Sequence, residues 1–471
     1  MMRQKKSLPA KLRTFFACAL LGALAPGLPA RTPAPQDAVP APRREQLLNG
    51  LPVLLAYRPG DPQVLIKLRL QSGAAFDLAG KEGLMALLGD ILFPDPTTRE
   101  FVAEELGGRL EVSTDYDRID VTLAGRAAEF ERLAELLRNA VINTRIVAED
   151  VARLRDERLK TVRAASLSPA AVADRAIAAR LYGAHPYGRL VAGTPDSLAR
   201  VERPDLMLAR DRFLTADNAR LVIIGGVEPG RAMRVCRQFL GAWRKSETLV
   251  PATFRRPDQP PAPTLVVEQA GADSAEVRLA VRGLARTDRD YATAAVVAAF
   301  AQSRWQTALE TVKPDNLAVR HEAHALAGLW QMSARVRPAA AAQTLEAARA
   351  ILSALQATPP TAAEFEQAKR EAAAALVATN QQPDVALADS WLDAETYGAD
   401  GAAARRALND LTPADVQRVA ARLFFAAGVA TVAVGPLAEL REHLARTSSG
   451  VEVFGAPAPK PAPTPTPARR P

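Results

Sequence analysis

Two of the four histidines, His321 and His324, bracket Glu322 closely enough to suggest a metal site. Two imidazoles and a carboxylate on one face could hold zinc and lower the pKa of a bound water toward neutrality. The surrounding Val319-Arg-His-Glu-Ala-His-Ala-Leu326 alternates as a strand does, however, and residues three apart on a strand face opposite sides. The plainer reading is two surface or hydrogen-bonded histidines. His185, followed by Pro186, reads as a loop-ordering residue, and His443 stands alone in a terminal helix. Cys236, in Val-Cys-Arg-Gln-Phe-Leu, reads as a packed helix residue. No Gly-Lys-Ser/Thr phosphate loop and no Gly-x-Ser-x-Gly nucleophile turn occurs.

The elements that must position these residues are those of an ordinary globular chain, 48% hydrophobic and 24% charged. Of the formal charge of +8, Arg3, Lys5, Lys6, Lys11 and Arg13 supply five, and no acid offsets them in residues 1–30. The remainder carries no basic stripe, which argues against a nucleic-acid partner. The basic start, the apolar run Phe15–Leu28 and Leu28-Pro-Ala30 read as a secretory signal, with an uncleaved anchor as the other reading. The chain is therefore expected in the periplasm or cell envelope. Cleavage leaves Cys236 alone, so no internal disulfide can form.

Residues 31–42 read as a proline-rich spacer. An N-terminal domain is expected over 43–247, opening on strands either side of Asn49-Gly50 and continuing with the strand Val64–Gln71. The nearly continuous apolar run Gly83–Phe93 predicts a helix buried on most sides. Arg109–Thr114 and Ile119–Leu123 alternate about Asp115-Tyr-Asp-Arg118 as an antiparallel hairpin. Amphipathic helices are expected over Ala127–Asn139, Ala148–Ala165 and Pro169–Tyr182. A linker over 248–263 precedes a second domain over 264–447, and 448–471 reads as a disordered proline-rich tail. Asp205…Phe213…Gly225 and Asp415…Phe424…Gly435 run in parallel, which marks an internal repeat of roughly 200 residues, too long for a solenoid.

Several of these stretches resemble the insulinase/pitrilysin-type zinc peptidases. The phrase Leu-x-Asn-Gly-Leu-x-Val that opens many members is matched by Leu48–Val53 without its spacer residue. His185-Pro-Tyr-Gly188 and Gly193-Thr-Pro-Asp196, followed by Leu198, are similar to the family's His-Pro-Tyr-Gly and Gly-Thr-x-x-x-Leu steps. In the family a buried helix reads Gly-Leu-Ala-His-x-x-Glu-His-x-x-Phe. Gly83, Leu84 and Phe93 keep that frame, whereas Ala86, Gly89 and Asp90 stand where the His, Glu and His would be. The family's last zinc ligand, a Glu on a later helix, falls at Lys160 or Thr161, with Glu157 about a turn away. The Arg and Tyr that grip substrate in active members fall at Val312 and Val319.

The resemblance implies an α+β fold of two homologous sandwich-like domains, each an antiparallel sheet packed with helices, in a clamshell arrangement. It implies no catalytic residue, no metal ligand set and no cofactor in this chain, because Asp90 alone cannot hold zinc. Members of the family often pair a zinc-bearing chain with a degenerate one. The expected role is thus a pseudopeptidase subunit in a heterodimer with a zinc-bearing homologue, shaping a cavity for a peptide or unfolded polypeptide. The alternatives are a standalone peptide-binding or scaffold protein of the envelope and a metallohydrolase whose metal has moved to His321 and His324.

Overall fold

The computed structural model describes residues 41–246, 253–378, 382–398, 408–425, 427–446 and 450–454. The signal, nearly all of the spacer and most of the tail expected from sequence lie outside these residues. The first sheet contains β1 (Arg43–Gln46), β2 (Pro52–Tyr57), β3 (Gln63–Leu70), β4 (Arg109–Thr114), β5 (Ile119–Arg126) and β6 (Ala219–Gly225). The second contains β7 (Thr264–Glu268), β8 (Ala275–Arg282), β9 (Asp315–Glu322), β10 (Leu329–Val336), β11 (Ala430–Gly435) and β12 (Val451–Val453). Their orders, β1-β2-β6-β3-β5-β4 and β12-β7-β11-β8-β10-β9, superimpose strand for strand except at the outer edge. There the first sheet uses an antiparallel strand from its own start, and the second a parallel strand, Val451–Val453, within the stretch expected to be a disordered tail. Both sheets are mixed: β2 runs parallel to β6 and β7 parallel to β11, while β3, β4 and β5 and their counterparts are antiparallel.

The repeated helix-to-strand step inferred from Asp205–Gly225 and Asp415–Gly435 is present in both halves. Helix α7 (Arg203–Phe213) leads into β6, and α13 (Pro413–Phe424) leads into β11. In each, a side-chain-to-backbone capping box fixes the helix start, closed by Asp205 and by Asp415.

Strand alternation explains how each sheet is covered. Val64, Ile66, Leu68 and Leu70 of β3 point into the core shared with helices of the same half. Leu65, with Leu54, Val222 and Ile224, points to the other face and meets Val385, Ala388, Trp391 and Leu392. Those four belong to α12 (Pro383–Tyr397), which comes from the second half of the chain. Conversely, α5 (Pro169–Tyr182) of the first half sets Val172, Ala173, Ile177 and Leu181 against Ala280, Ala430, Val432 and Val434 of the second sheet. Each half therefore lends one helix to the far face of the other's sheet. Every large aliphatic side chain buried this way contributes about 1.5–3 kcal/mol.

The exchange is also ionic. Lys67 of β3 lies opposite Val222 in β6, and Arg278 of β8 lies opposite Val432 in β11, at equivalent places of the repeat. Lys67 pairs with Asp389 of α12, and Arg278 donates to Asp174 of α5 at 2.7 Å. Arg69, wholly buried, forks onto Asp120 at 2.8 and 2.9 Å and reaches Asp393 and Asp389 of α12 at 2.7 and 2.9 Å. Burial opposes its charge, but those carboxylates, Asp120 first, hold its pKa above the ordinary arginine range. Among the described residues no helix is long and apolar enough to cross a membrane.

Candidate functional site

The degenerate motif forms α1 (Leu84–Ile91), and every residue of that helix except Asp90 is buried. Its start is held by groups distant in sequence. The Asp77 carboxylate accepts the Gly83 and Met85 N–H groups, each at 2.7 Å, so it satisfies two donors that a helix start leaves open. Burial pushes Asp77 up to about 7, against the pull of those two donors. Gly83 takes φ +94°, and a Cβ there would lie 2.8 Å from Leu198 Cδ2 and 2.9 Å from the Ala192 carbonyl, so only glycine fits. The Gly193-Thr-Pro-Asp196 step is the other half of this clamp. Thr194 and Ser197 form a reciprocal capping box, and the Ser197 hydroxyl donates to the Glu82 carbonyl at 2.8 Å.

Against α1 lies α4 (Ala148–Ser166), whose apolar stripe is Val151, Leu154 and Val162. Arg158 completes that stripe at helical spacing, so it faces α1 rather than solvent. Its guanidinium donates to Asp90 Oδ2 at 2.9 Å through Nε and 2.6 Å through Nη2, and to the Ala86 carbonyl at 3.2 Å. Burial raises the Asp90 pKa, and the Arg158 charge works against that rise. Lys160 and Thr161 are exposed on α4, and Glu157 bonds Arg153 at the surface. Arg158, not either residue in the expected register, meets the first and third positions of the motif. At the second, Gly89 backs onto β4: a Cβ would lie 2.8 Å from Thr114 Oγ1.

This arrangement does not fit zinc. Ala86 and Gly89 offer no side-chain donor, and the one carboxylate, Asp90, is engaged by the Arg158 guanidinium. Among the described residues no group of three or more His, Cys, Asp or Glu side chains is placed to hold a metal. The candidate anchor positions are likewise apolar. Val319 lies in β9 with its N–H on Gln302 Oε1 at 2.9 Å, and Val312 packs half-buried beyond α9 (Tyr291–Ala308).

Three of the four histidines have structural partners. His321 Nε2 accepts the Leu284 N–H at 3.0 Å, and burial, with His324 nearby, lowers its pKa to about 4. His324 lies beyond the end of β9, its ring centroid 5.1 Å from that of Tyr116 and 4.9 Å from that of Tyr187. Tyr187 belongs to the His185-Pro-Tyr-Gly188 turn. His185 Nδ1 accepts the Tyr187 N–H at 3.2 Å, while the Tyr187 hydroxyl donates to Asp117 at 2.6 Å and accepts from the Leu326 N–H at 3.1 Å. The turn thereby ties the first half to the loop after β9. Cys236 is buried in α8 (Pro229–Leu240), with its thiol pushed up to about 12 by burial, where it is a packing group.

Alphabet and spacing carried the Ala86, Gly89 and Asp90 positions but missed Arg158 and Asp77. The signal for Arg158 was available: it is the charged member of an otherwise apolar i, i+3, i+7, i+11 stripe beginning at Val151. Asp77 gave none, since it caps the helix across a turn of no fixed length.

Residues 200–372, from α7 into α11 (Ala362–Ala378), match the family model described as the Peptidase M16 inactive domain. An uncharacterized zinc protease of Mycobacterium bovis is 23% identical over 220 residues, 46% of this chain and 50% of that protein. The chain thus spans about half the length of that curated relative. Among solved structures, the peptidase M16 inactive domain from Pseudomonas fluorescens is similar with a TM-score of 0.75 at 20% identity, over 84% of this chain and 98% of that one. A protease from Helicobacter pylori gives 0.76 at 18%, over 84% and 100%. Those two likenesses, at such identities, establish the fold. Taken with the inactive-domain match over residues 200–372, they show an M16-peptidase-like fold with a central stretch similar to that family's inactive domain.

Proposed function

We propose that the chain is the non-catalytic subunit of an exported M16-type peptidase and pairs with a zinc-bearing homologue. The observation that carries this is the Arg158–Asp90 ion pair on a helix whose other chemical positions are Ala86 and Gly89. A buried helix with the family frame and a cation in place of a metal can shape a wall but cannot activate water. The chain supplies surface and orientation for a peptide or unfolded polypeptide, while its partner supplies metal, water and base. The basic, then apolar, N-terminal thirty residues support a periplasmic or envelope location.

The test is reconstitution with a zinc-bearing homologue. Peptide hydrolysis is measured for the mature chain alone, the homologue alone and the two mixed. Activity that appears, or rises at least tenfold, only in the mixture is the expected result, together with co-elution of the two chains. Full activity of the homologue alone, with no complex on a sizing column, rejects the subunit role and leaves a standalone binding protein.

A further inference from the structure

A cavity of about 440 Å³ lies where the two halves and their linker meet, apart from the α1 helix. Its size is that of a small-molecule site. Tyr182 and His185 reach it from the end of α5 and the turn that follows; the linker contributes Phe254 and Arg256, and the second half Arg282 and Phe425. No carboxylate lines it.

Three features make it a built site for an anion attached to an apolar body. First, the Arg282 guanidinium donates to the Pro257 and Asp258 carbonyls at 3.0 and 2.8 Å, which orients it but leaves its charge unneutralised. Among the described residues it forms no ion pair, and burial followed by repulsion from Arg256 lowers its pKa; an incoming anion would offset that repulsion. Second, His185 is buried and has its Nδ1 committed as an acceptor to the turn, so the neutral ring carries its proton on Nε2 and offers that N–H as a donor. Third, Phe425 at the cavity is 78% exposed, an unusual cost for a large aromatic ring that a bound apolar group would remove.

We propose that this junction cavity binds a small amphiphilic carboxylate, its –COO⁻ on Arg282, Arg256 and His185 Nε2–H and its apolar body against Phe254 and Phe425. Two sources share that chemistry: a fatty acid, and a peptide ending in a hydrophobic residue with a free C-terminus. The site stands whether or not the chain has a catalytic partner, so it is tested on the mature chain alone.

Calorimetric titration with decanoate and with a pentapeptide ending in free Phe is compared with decanol and the same pentapeptide amidated. At least one carboxylate should bind at one per chain, and at least tenfold more tightly than its neutral counterpart. Whichever carboxylate binds identifies the source. Arg282→Gln and Arg256→Gln should each weaken that binding at least fivefold, while Arg337→Gln, remote from the cavity, should leave it unchanged. If Arg282→Gln loosens the linker, seen as a lowered thermal midpoint, Arg256→Gln still decides, because Arg256 is exposed and, among the described residues, makes no such backbone contact. Absence of binding by both carboxylates up to millimolar concentration overturns the proposal, as does equal affinity for the neutral counterparts or for the Arg256→Gln variant.

Discussion

At the scale of the residue, Ala86, Gly89 and Asp90 are walled in as well as short of zinc donors. Arg158 bonds both Asp90 and the Ala86 carbonyl, and Thr114 Oγ1 lies 2.8 Å from where a Gly89 Cβ would be. Restoring the motif alone should therefore fail. Ala86→His, Gly89→Glu and Asp90→His together should bind zinc substoichiometrically and lower stability, since the Gly89 change overpacks the helix against β4 by about 1–3 kcal/mol. Adding Arg158→Glu and Thr114→Ala should raise zinc content, read by atomic absorption; stoichiometric zinc without Arg158→Glu would show that the guanidinium is no obstacle. His321 gives a pH test. Its folded pKa of about 4 lies below the ordinary 6.5, so the unfolded chain takes up the proton first. Its contribution is complete above pH 6.5 and is lost as pH falls through about 4. His321→Gln keeps an acceptor for the Leu284 N–H that does not titrate. The denaturation midpoint of that variant should fall less between pH 6.5 and 4 than that of the parent chain, and identical slopes would remove His321 from the acid response.

At the scale of the element, what could be read in the sequence divides by physical range. The strand Val64–Gln71, the hairpin about Asp115–Arg118 and the helices over 148–165 and 169–182 were legible because period and turn chemistry are local. The internal repeat was legible because two helix-to-strand steps kept one spacing. The sheets' parallel pairs, β2 with β6 and β7 with β11, were not, because they join strands more than 150 residues apart. Nor did sequence disclose which sheet α5 and α12 cover. Lys67 and Arg69 on β3 are buried because the opposite half supplies Asp389 and Asp393, a partnership across more than 300 residues. Arg69→Met tests that assignment. It leaves Asp120, Asp389 and Asp393 short of a cation and should cost roughly 3–5 kcal/mol. A surface arginine would cost far less, and chemical denaturation separates the two outcomes.

At the scale of the whole molecule, reciprocal helix exchange makes the repeat a structural unit that neither half completes. The first sheet lacks a cover for Leu54, Leu65, Val222 and Ile224 without Trp391 and Leu392, and the second lacks one for Val432 and Val434 without Ile177 and Leu181. Both halves accordingly belong to one compact unit of the chain. Two domains joined only by a linker would melt independently, but here unfolding one half exposes an apolar face and uncompensated charges on the other. Thermal unfolding of the mature chain should show one transition, with calorimetric and van't Hoff enthalpies in agreement. Residues 43–247 and 264–447 produced separately should each aggregate or bind a dye specific for exposed apolar surface, and should regain native circular dichroism when mixed. Trp391→Ala should lower the single midpoint without splitting it, because a loss of about 3–5 kcal/mol at the exchanged helix is shared by both halves. Two resolved transitions in the parent chain, or a well-folded isolated 43–247, would mean that the exchange decorates the halves rather than joins them.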